Sequence, residues 1–515
     1  MPAPQLCFDI QADSKTTSDY VSPSLFNPSI SKSPSPLTTS LDVAVDVQDP
    51  FNNLSTFFIH ETHDSEFWWK TTGKVFSQMM KRAFYSPDQQ YKYLMFYYFT
   101  IIPELGPAPR PVIKSKSKSK RKPFIDLSST VDRITSKPVY QSYMTDDHTP
   151  IELSWQFGGD GGVVARFAID PVVRQSSSED SRGAMGLFED LSTMEVIAPG
   201  VDLDWCHKCS KILTTSNVNL DRVTSVSQYP SQYFVGFDFS LQGVVLKAYF
   251  LPETKSILTG IPKIVLVTQC VKELTRPTKN CPSPPDLITP WLNVLTFFET
   301  LPPALTPNIN IVAVDCLPSK QNRVKIYCRS PLTTLSNLRR FITLGRSTAG
   351  TTNLNSPLKR GLDQITLLWY LLFPNMADSK FDNVEPLMRD PAHPTAGLLF
   401  YYELRGGHSE PFPKVYIPVR HLCRNDRHVV RALTEFYRQT GNIKAGMRYA
   451  RDVQEILQVS HRRLSRRAGI HTYITVAIKE SNIEVTSYFN PECYSADYHY
   501  RKESHEPSSN NFPNY

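Results

Sequence analysis

The chain has 515 residues, 40% of them hydrophobic and 20% charged, which suits a soluble protein with a sizeable core and allows one large barrel or two to four smaller domains. The net charge of +7 invites a nucleic-acid reading, but Lys114, Lys116, Lys118, Lys120, Arg121 and Lys122 carry six of those charges in one run. The body that remains is nearly neutral, so a general basic surface is excluded.

Residues 1 to about 55 are rich in Ser, Pro and Thr without periodicity, and are expected to be a disordered extension. The start of the chain lacks the basic and apolar regions of a secretory signal. Asp64 reads as the N-cap of a helix carrying Phe67, Trp68, Val75, Phe76 and Met79 at helical spacing. Ser86-Pro87 opens a second helix, with Pro at its first position, running through Tyr91, Leu94, Met95 and Tyr98 to a stop near Pro103. The longest apolar runs, Tyr93–Ile102 and Ile365–Phe373, fall short of the roughly 20 residues a membrane helix needs. A Pro/Gly loop follows at Leu105–Pro111, and the Lys/Ser run of about 112–124 reads as a solvated insertion without chemistry of its own.

A hairpin comes next. Ile151–Phe157 alternates strictly, Gly158–Gly162 turns the chain, and Val163–Ile169 returns with Arg166 between Ala165 and Phe167. Four similar hairpins are expected at about 232–251, 309–329, 398–420 and 471–489, turning at Gln242-Gly243, Pro318–Gln321, Gly406–Glu410 and Ser481-Asn482. Helical patterns between them cover Pro331–Thr343, Pro357–Phe373 behind the cap Ser356, Arg427–Gln439 behind Asp426, and Ile443–Arg463. Residues 501–515 form a tail expected to be disordered. The nine cysteines have no regular spacing, which points to a reducing compartment. Cys206-His207-Lys208-Cys209 is the single CxxC; zinc would need a second ligand pair, so these read as ordinary thiols in a helix beginning near Asp204.

Several strands share an unusual face. In Asn322–Arg329 the residues Arg323, Lys325, Tyr327 and Arg329 point one way while Val324, Ile326 and Cys328 point the other. The same split sets Lys247 and Tyr249 against Leu246 and Ala248, sets Lys414, Tyr416 and Arg420 against Val415, Ile417 and Val419, and sets Tyr473, Thr475 and Lys479 against Thr472, Ile474, Val476 and Ile478. Helices must cover the oily faces, so the polar faces are left to meet one another. An α+β fold follows: a closed ten-stranded antiparallel barrel, ringed by helices, with a solvent-filled lumen over about residues 56–500 as a single domain.

Inside such a lumen Arg166, Lys247, Arg323, Lys325, Lys414 and Lys479 would converge, and buried cations call for a polyanion. A diphosphate fits. No G-x-x-x-x-G-K-S/T loop and no D-D-x-x-D cluster occurs (Asp146-Asp147 continues as His148, Thr149 and Pro150), so protein cations would serve where Mg²⁺ does elsewhere. Tyr249, Tyr327, Tyr416, Tyr473 and Tyr488 also point inward, and aromatic faces stabilise a neighbouring cation by about 0.5 to 2 kcal/mol each. Cations for a leaving diphosphate beside aromatic walls for an allylic carbocation describe prenyl transfer. Glu152, read as the one acid on an inward strand position, would accept a hydrogen bond from an aromatic N–H or O–H and take up the proton afterwards.

These residues resemble the dimethylallyltryptophan synthase family of fungal aromatic prenyltransferases, whose fold is the ABBA barrel. The resemblance covers about residues 64–495 and rests on Pro150-Ile-Glu-Leu-Ser-Trp155, Arg166-Phe-Ala-Ile-Asp-Pro171, Lys247-Ala-Tyr249, Arg323-Val-Lys-Ile-Tyr327, Lys414-Val-Tyr-Ile-Pro-Val-Arg420, and Tyr473 with Tyr488. It implies a donor-diphosphate cradle of Arg166, Lys247, Arg323, Lys325, Lys414 and Lys479, and a carbocation shield of the five tyrosines. Glu152 matches the glutamate that binds the indole N–H. It further implies a soluble cytoplasmic enzyme of secondary metabolism, monomer or homodimer, using dimethylallyl diphosphate and no divalent metal, with no nucleic-acid or membrane partner. Two departures touch the substrate. Ser231–Ser240 holds no lysine where tryptophan-C4 members carry one, and Lys479 stands where several members have arginine. The expected acceptor is an indole-bearing metabolite; a phenolic polyketide or xanthone is the alternative, and a non-catalytic diphosphate or nucleic-acid binder is the rival of a different class.

Overall fold

The computed structural model describes residues 49–109, 140–157, 163–173, 183–215, 229–240, 243–277, 281–346, 356–479 and 483–495. The alternating stretches become ten antiparallel strands: β1 (Ile151–Phe157), β2 (Val163–Ile169), β3 (Tyr233–Phe239), β4 (Val244–Phe250), β5 (Asn308–Asp315), β6 (Arg323–Arg329), β7 (Leu399–Arg405), β8 (Phe412–Ile417), β9 (His471–Ile478) and β10 (Ile483–Phe489). Each pairs with its sequence neighbours, and β1 also pairs with β10, so the sheet closes on itself and leaves no edge. Ser154 thereby stands opposite both Arg166 and Tyr488.

Burial drives the closure. Leu153, Trp155, Phe167, Ile169, Phe237, Leu246, Val324, Ile326, Val415 and Val476 point outward from the barrel into one continuous core. Each such side chain contributes about 1.5–3 kcal/mol when fully removed from water. The covering helices are Lys74–Arg82 on β2, Asp204–Leu213 on β4, Lys263–Leu274 on β5, Ile288–Glu299 on β7, and Pro357–Leu372 on β9 and β10. The last comes very close: a Cβ added at Gly361 would lie 2.7–2.8 Å from three side-chain atoms of Ile478.

The ends of several elements differ from the sequence expectations. The extension drawn to residue 55 overlaps a helix, Pro50–Phe57, capped by Asp49, whose Phe51 stacks on Trp69 with ring centroids 4.6 Å apart. Phe51 and Leu54 anchor this helix in the core. Thr62, not Asp64, caps the following helix, and Asn425, not Asp426, caps Asp426–Gln439. Asp426 is instead buried against His471, accepting from its backbone N–H at 2.9 Å. The Ile443–Arg463 pattern breaks at Gln458, which adopts a left-handed φ of 50°, giving helices Ile443–Leu457 and His461–Arg466. Strand β8 stops at Ile417 because Pro418 cannot donate to the ladder, and Arg420 lies on a one-turn helix, Val419–Leu422. The stretch 1–48, the Lys/Ser run, the turns at 158–162 and 481–482, Gln242 and the tail beyond residue 495 lie outside the described residues.

Candidate active site

The lumen holds two connected chambers. One, of about 830 Å³, is lined by Arg166, Lys247, Arg323, Lys325, Lys414 and Lys479, so the structure brings together every cation expected there. Lys247, Lys325 and Lys414 are only 7%, 5% and 4% exposed. Lys479 sits one residue past β9, exposed at the rim.

Five of these cations are paired. Glu152 is not the lone inward acid, because Asp238, Asp315, Glu403 and Glu484 occupy inward positions on β3, β5, β7 and β10. Asp238 pairs with Lys247, and with Arg166 at 3.1 Å. Asp315 accepts from Arg323 Nε at 2.6 Å and Lys325 Nζ at 2.9 Å, while Arg323 also reaches Glu403 at 3.3 Å. Glu484 lies 3.4 Å from Lys414. These four carboxylates hold the donors in place, and Glu403 pairs with Arg405 as well. Burial would raise Asp315, but Lys325, Lys247 and Arg323 outweigh it and keep its carboxyl well below the usual range. Burial pulls Lys247 and Lys414 down to about 8 despite Asp238 and Glu484.

The second chamber, of about 860 Å³, is lined by Glu152, Phe234, Ile311, Leu399 and the tyrosines, with Arg329, Asp146, Arg420 and His421 toward one side. Tyr249, Tyr327, Tyr416 and Tyr488 line both chambers and form a collar between them. Tyr416 is at its centre, with ring centroids 5.9 Å from Tyr327, 5.4 Å from Tyr488 and 5.9 Å from Tyr473. Tyr401, which the sequence reading passed over, joins the collar 5.1 Å from Tyr327. Burial raises all of these phenols, so they remain neutral. Glycine at position 236 makes room for the collar: a Cβ there would come 2.8 Å from the Tyr249 ring.

Glu152 lines both chambers. Burial raises its pKa to about 8, with Asp146 adding to the rise and Thr472 opposing it through a hydroxyl that donates at 2.7 Å. The sequence pattern puts Thr472 on the outer face with Ile474, yet both Thr472 and Tyr473 line the second chamber. The cause is a register shift: Ser487 pairs with Ile474 but Phe489 with His471, so β9 carries one extra residue there and bulges.

At the chamber's mouth Asp146, His393 and His421 are spaced as metal ligands could be. Thr395 Oγ1 fills the middle of that group, 2.9 Å from Asp146 Oδ1, 2.8 Å from His421 Nε2 and 2.9 Å from His393 Nδ1, and Arg420 pairs with the other Asp146 oxygen. The group is a hydrogen-bond junction. The CxxC thiols are buried in helix Asp204–Leu213, and Cys209 Sγ lies 3.3 Å from Cys270 Sγ.

A diphosphate-sized basic chamber joined through a collar of neutral tyrosines to an apolar chamber with one raised carboxyl defines an aromatic prenyltransferase of the ten-stranded barrel class. The tryptophan dimethylallyltransferase family model matches residues 64–452, and the chain belongs to that family. It is 30% identical over 438 residues, 84% of this chain and 89% of the relative, to 4-O-dimethylallyl-L-tyrosine synthase of Claviceps purpurea. It is 26% identical to 7-dimethylallyltryptophan synthase of Aspergillus fumigatus, covering 83% of this chain and 85% of that one. Its fold is similar to the crystal structure of AnaPT from Neosartorya fischeri, with a TM-score of 0.68 and 22% identity over 86% of this chain and 98% of that one. Among the described residues no helix is long and apolar enough to cross a membrane.

Proposed function

We propose that this protein transfers a dimethylallyl group from dimethylallyl diphosphate to an aromatic acceptor bearing a ring N–H or O–H, in the cytoplasm and without a divalent metal. The observation that carries the reading is the shared tyrosine collar, which puts a cation-stabilising wall between a diphosphate chamber and an acceptor chamber. The donor's diphosphate binds among Arg166, Lys247, Arg323, Lys325, Lys414 and Lys479, exchanging carboxylate partners for its own oxygens. The C–O bond breaks with both electrons leaving on diphosphate, whose growing charge those donors stabilise. The allylic cation meets the faces of Tyr249, Tyr327, Tyr416, Tyr473 and Tyr488. The acceptor ring supplies the electron pair for the new bond to the allylic carbon, and Glu152, once ionised, accepts the hydrogen bond from the ring N–H or O–H and takes up the released proton.

An indole is the leading acceptor; a phenol is the second reading, favoured by the similarity to a tyrosine O-prenylating enzyme. The test is incubation of the purified protein with dimethylallyl diphosphate, EDTA and panels of indoles and phenols, followed by mass spectrometry for an added C5 unit. Product in EDTA is expected. Absence of product from every acceptor, or product only when magnesium is restored, would contradict the reading.

A further inference from the structure

Four polar side chains on the outer side of the barrel form one hydrogen-bonded chain between β9, β10 and two helices. Asp426 meets His471 Nδ1 at 3.1 Å, His471 Nε2 meets the Tyr449 hydroxyl at 3.1 Å, and that hydroxyl lies 2.7 Å from Ser487 Oγ. All four residues are fully buried. A carboxylate can only accept, so Nδ1 carries the ring proton; in the neutral ring Nε2 then accepts from Tyr449, whose oxygen accepts from Ser487. Every donor in the chain finds an acceptor, as a polar network shut away from water requires. Burial would raise Asp426, but His471 and Arg463, 3.6 Å away, outweigh it and hold its carboxyl below the usual range.

The two ends of this chain fall on either side of the bulge in β9. His471 pairs with Phe489 and Ile474 with Ser487, so Thr472 and Tyr473 together stand against Tyr488. β8 stops at Ile417, opposite Ile474, and the ladder on that side of β9 ends before the bulge. Asp426 takes over there, accepting from the backbone N–H of Ile470 at 3.3 Å and of His471 at 2.9 Å. The bulge in turn delivers chemistry to the lumen: Thr472 donates to Glu152 at 2.7 Å, and Tyr473 joins the second chamber 5.9 Å from Tyr416. Resting on the reading of Glu152 as the proton acceptor, we propose that Asp426, His471, Tyr449 and Ser487 are positioning residues for the transfer: from behind the barrel wall they clamp both flanks of the bulge and so hold the Thr472 hydroxyl on Glu152. Glu152 shares its chambers with Arg166 on β2, Tyr488 on β10, Arg329 on β6, and Asp146, Arg420 and His421, all of them unchanged in the variants below.

The test reads Glu152 without turnover. Infrared difference spectra follow the protonated-carboxyl band that Glu152→Gln abolishes, and its pH midpoint is compared in the parent, Thr472→Val, Tyr449→Phe and the double variant. Losing a hydrogen bond to a charged group is expected to move the midpoint up by roughly one pH unit in Thr472→Val. Tyr449→Phe is expected to move it the same way by part of that, and the double variant no further than Thr472→Val alone. Ser487→Ala, a smaller change at the far end of the clamp, is expected to act as Tyr449→Phe does, and stands in for it if the latter fails to fold. A Tyr449→Phe or Ser487→Ala midpoint equal to the parent's, or a double variant whose shifts add, would overturn the assignment. A midpoint that responds as expected in a protein that prenylates no acceptor would uphold the clamp and sink the prenyl-transfer reading; prenylation with a midpoint indifferent to the clamp would do the reverse.

Discussion

In the proposed reaction Glu152 carries the acid–base half, and its burial sets the pH at which it can do so. With a pKa raised to about 8 it holds its proton at neutral pH in the free enzyme, and Lys247 and Lys414, drawn down to about 8, lose theirs just above. At saturating donor the acceptor kcat/KM is expected to rise toward pH 8 as Glu152 ionises, while the donor kcat/KM, which reports the free enzyme, falls above pH 8 as Lys247 and Lys414 lose their protons, and Glu152→Gln is expected to lose most activity along with the rising limb. The same shift makes a stability prediction. A carboxyl whose folded pKa exceeds its unfolded value of about 4.5 stabilises the fold fully below that pH and loses the contribution as pH climbs toward 8. Thermal melts should find Glu152→Gln level with the parent near pH 4.5 and more stable at pH 9; equal shifts at both would contradict the buried carboxyl. The Glu152 position, the cations and five tyrosines were legible from alternation alone. The acids were legible too, since Gly236/Asp238, Ala313/Asp315, Tyr401/Glu403 and Glu484/Tyr488 obey the same two-residue period. They escape a reading that follows only the strand bearing the lysine in each hairpin. What alternation cannot give is which inward charges pair, because that depends on the register between strands.

Helix-on-barrel contact works at the scale of elements, and Gly361 with Ile478 shows how tightly it is set. Replacing Gly361 by Ala gains about 1 kcal/mol of helix propensity, but three contacts under 3.0 Å to Ile478 force overpacking that costs about 1–3 kcal/mol. Overpacking should win in the parent. With Ile478→Ala opening the space, the same Gly361→Ala change should turn stabilising, a sign reversal that denaturant unfolding of the four proteins would detect; additive effects would show that the contact is not made. Local signals served some elements well: Ser86 caps its helix in a reciprocal pair with Gln89, and the Ser356 side chain accepts from the Lys359 backbone N–H. They failed where tertiary context decides. The bulge that turns Thr472 inward leaves no mark in the residues around it, and Ile288–Glu299, rich in β-branched and aromatic residues with a proline in its first turn, looks unlike a helix until it is packed.

At the scale of the whole molecule, closing ten strands separates two chemistries that would interfere if mixed. The first chamber is lined mainly by charged groups and the second mainly by apolar walls with Glu152, Asp146, Arg329 and Arg420 among them, and the tyrosine collar is their common boundary. Closure was legible because five hairpins, each oily on one face, leave their polar faces nowhere to go but inward. The division into two chambers was not, since it depends on how far along each strand the tyrosine follows the cation and on the shear of the ring. The most direct measurement is a crystal structure with the thiolodiphosphate donor analogue. The account predicts its phosphates among Lys247, Lys325 and Lys414 and its allyl end at the Tyr327–Tyr416 collar; phosphates bound instead beside Glu152 and Arg329, or on the outer surface of the barrel, would contradict it.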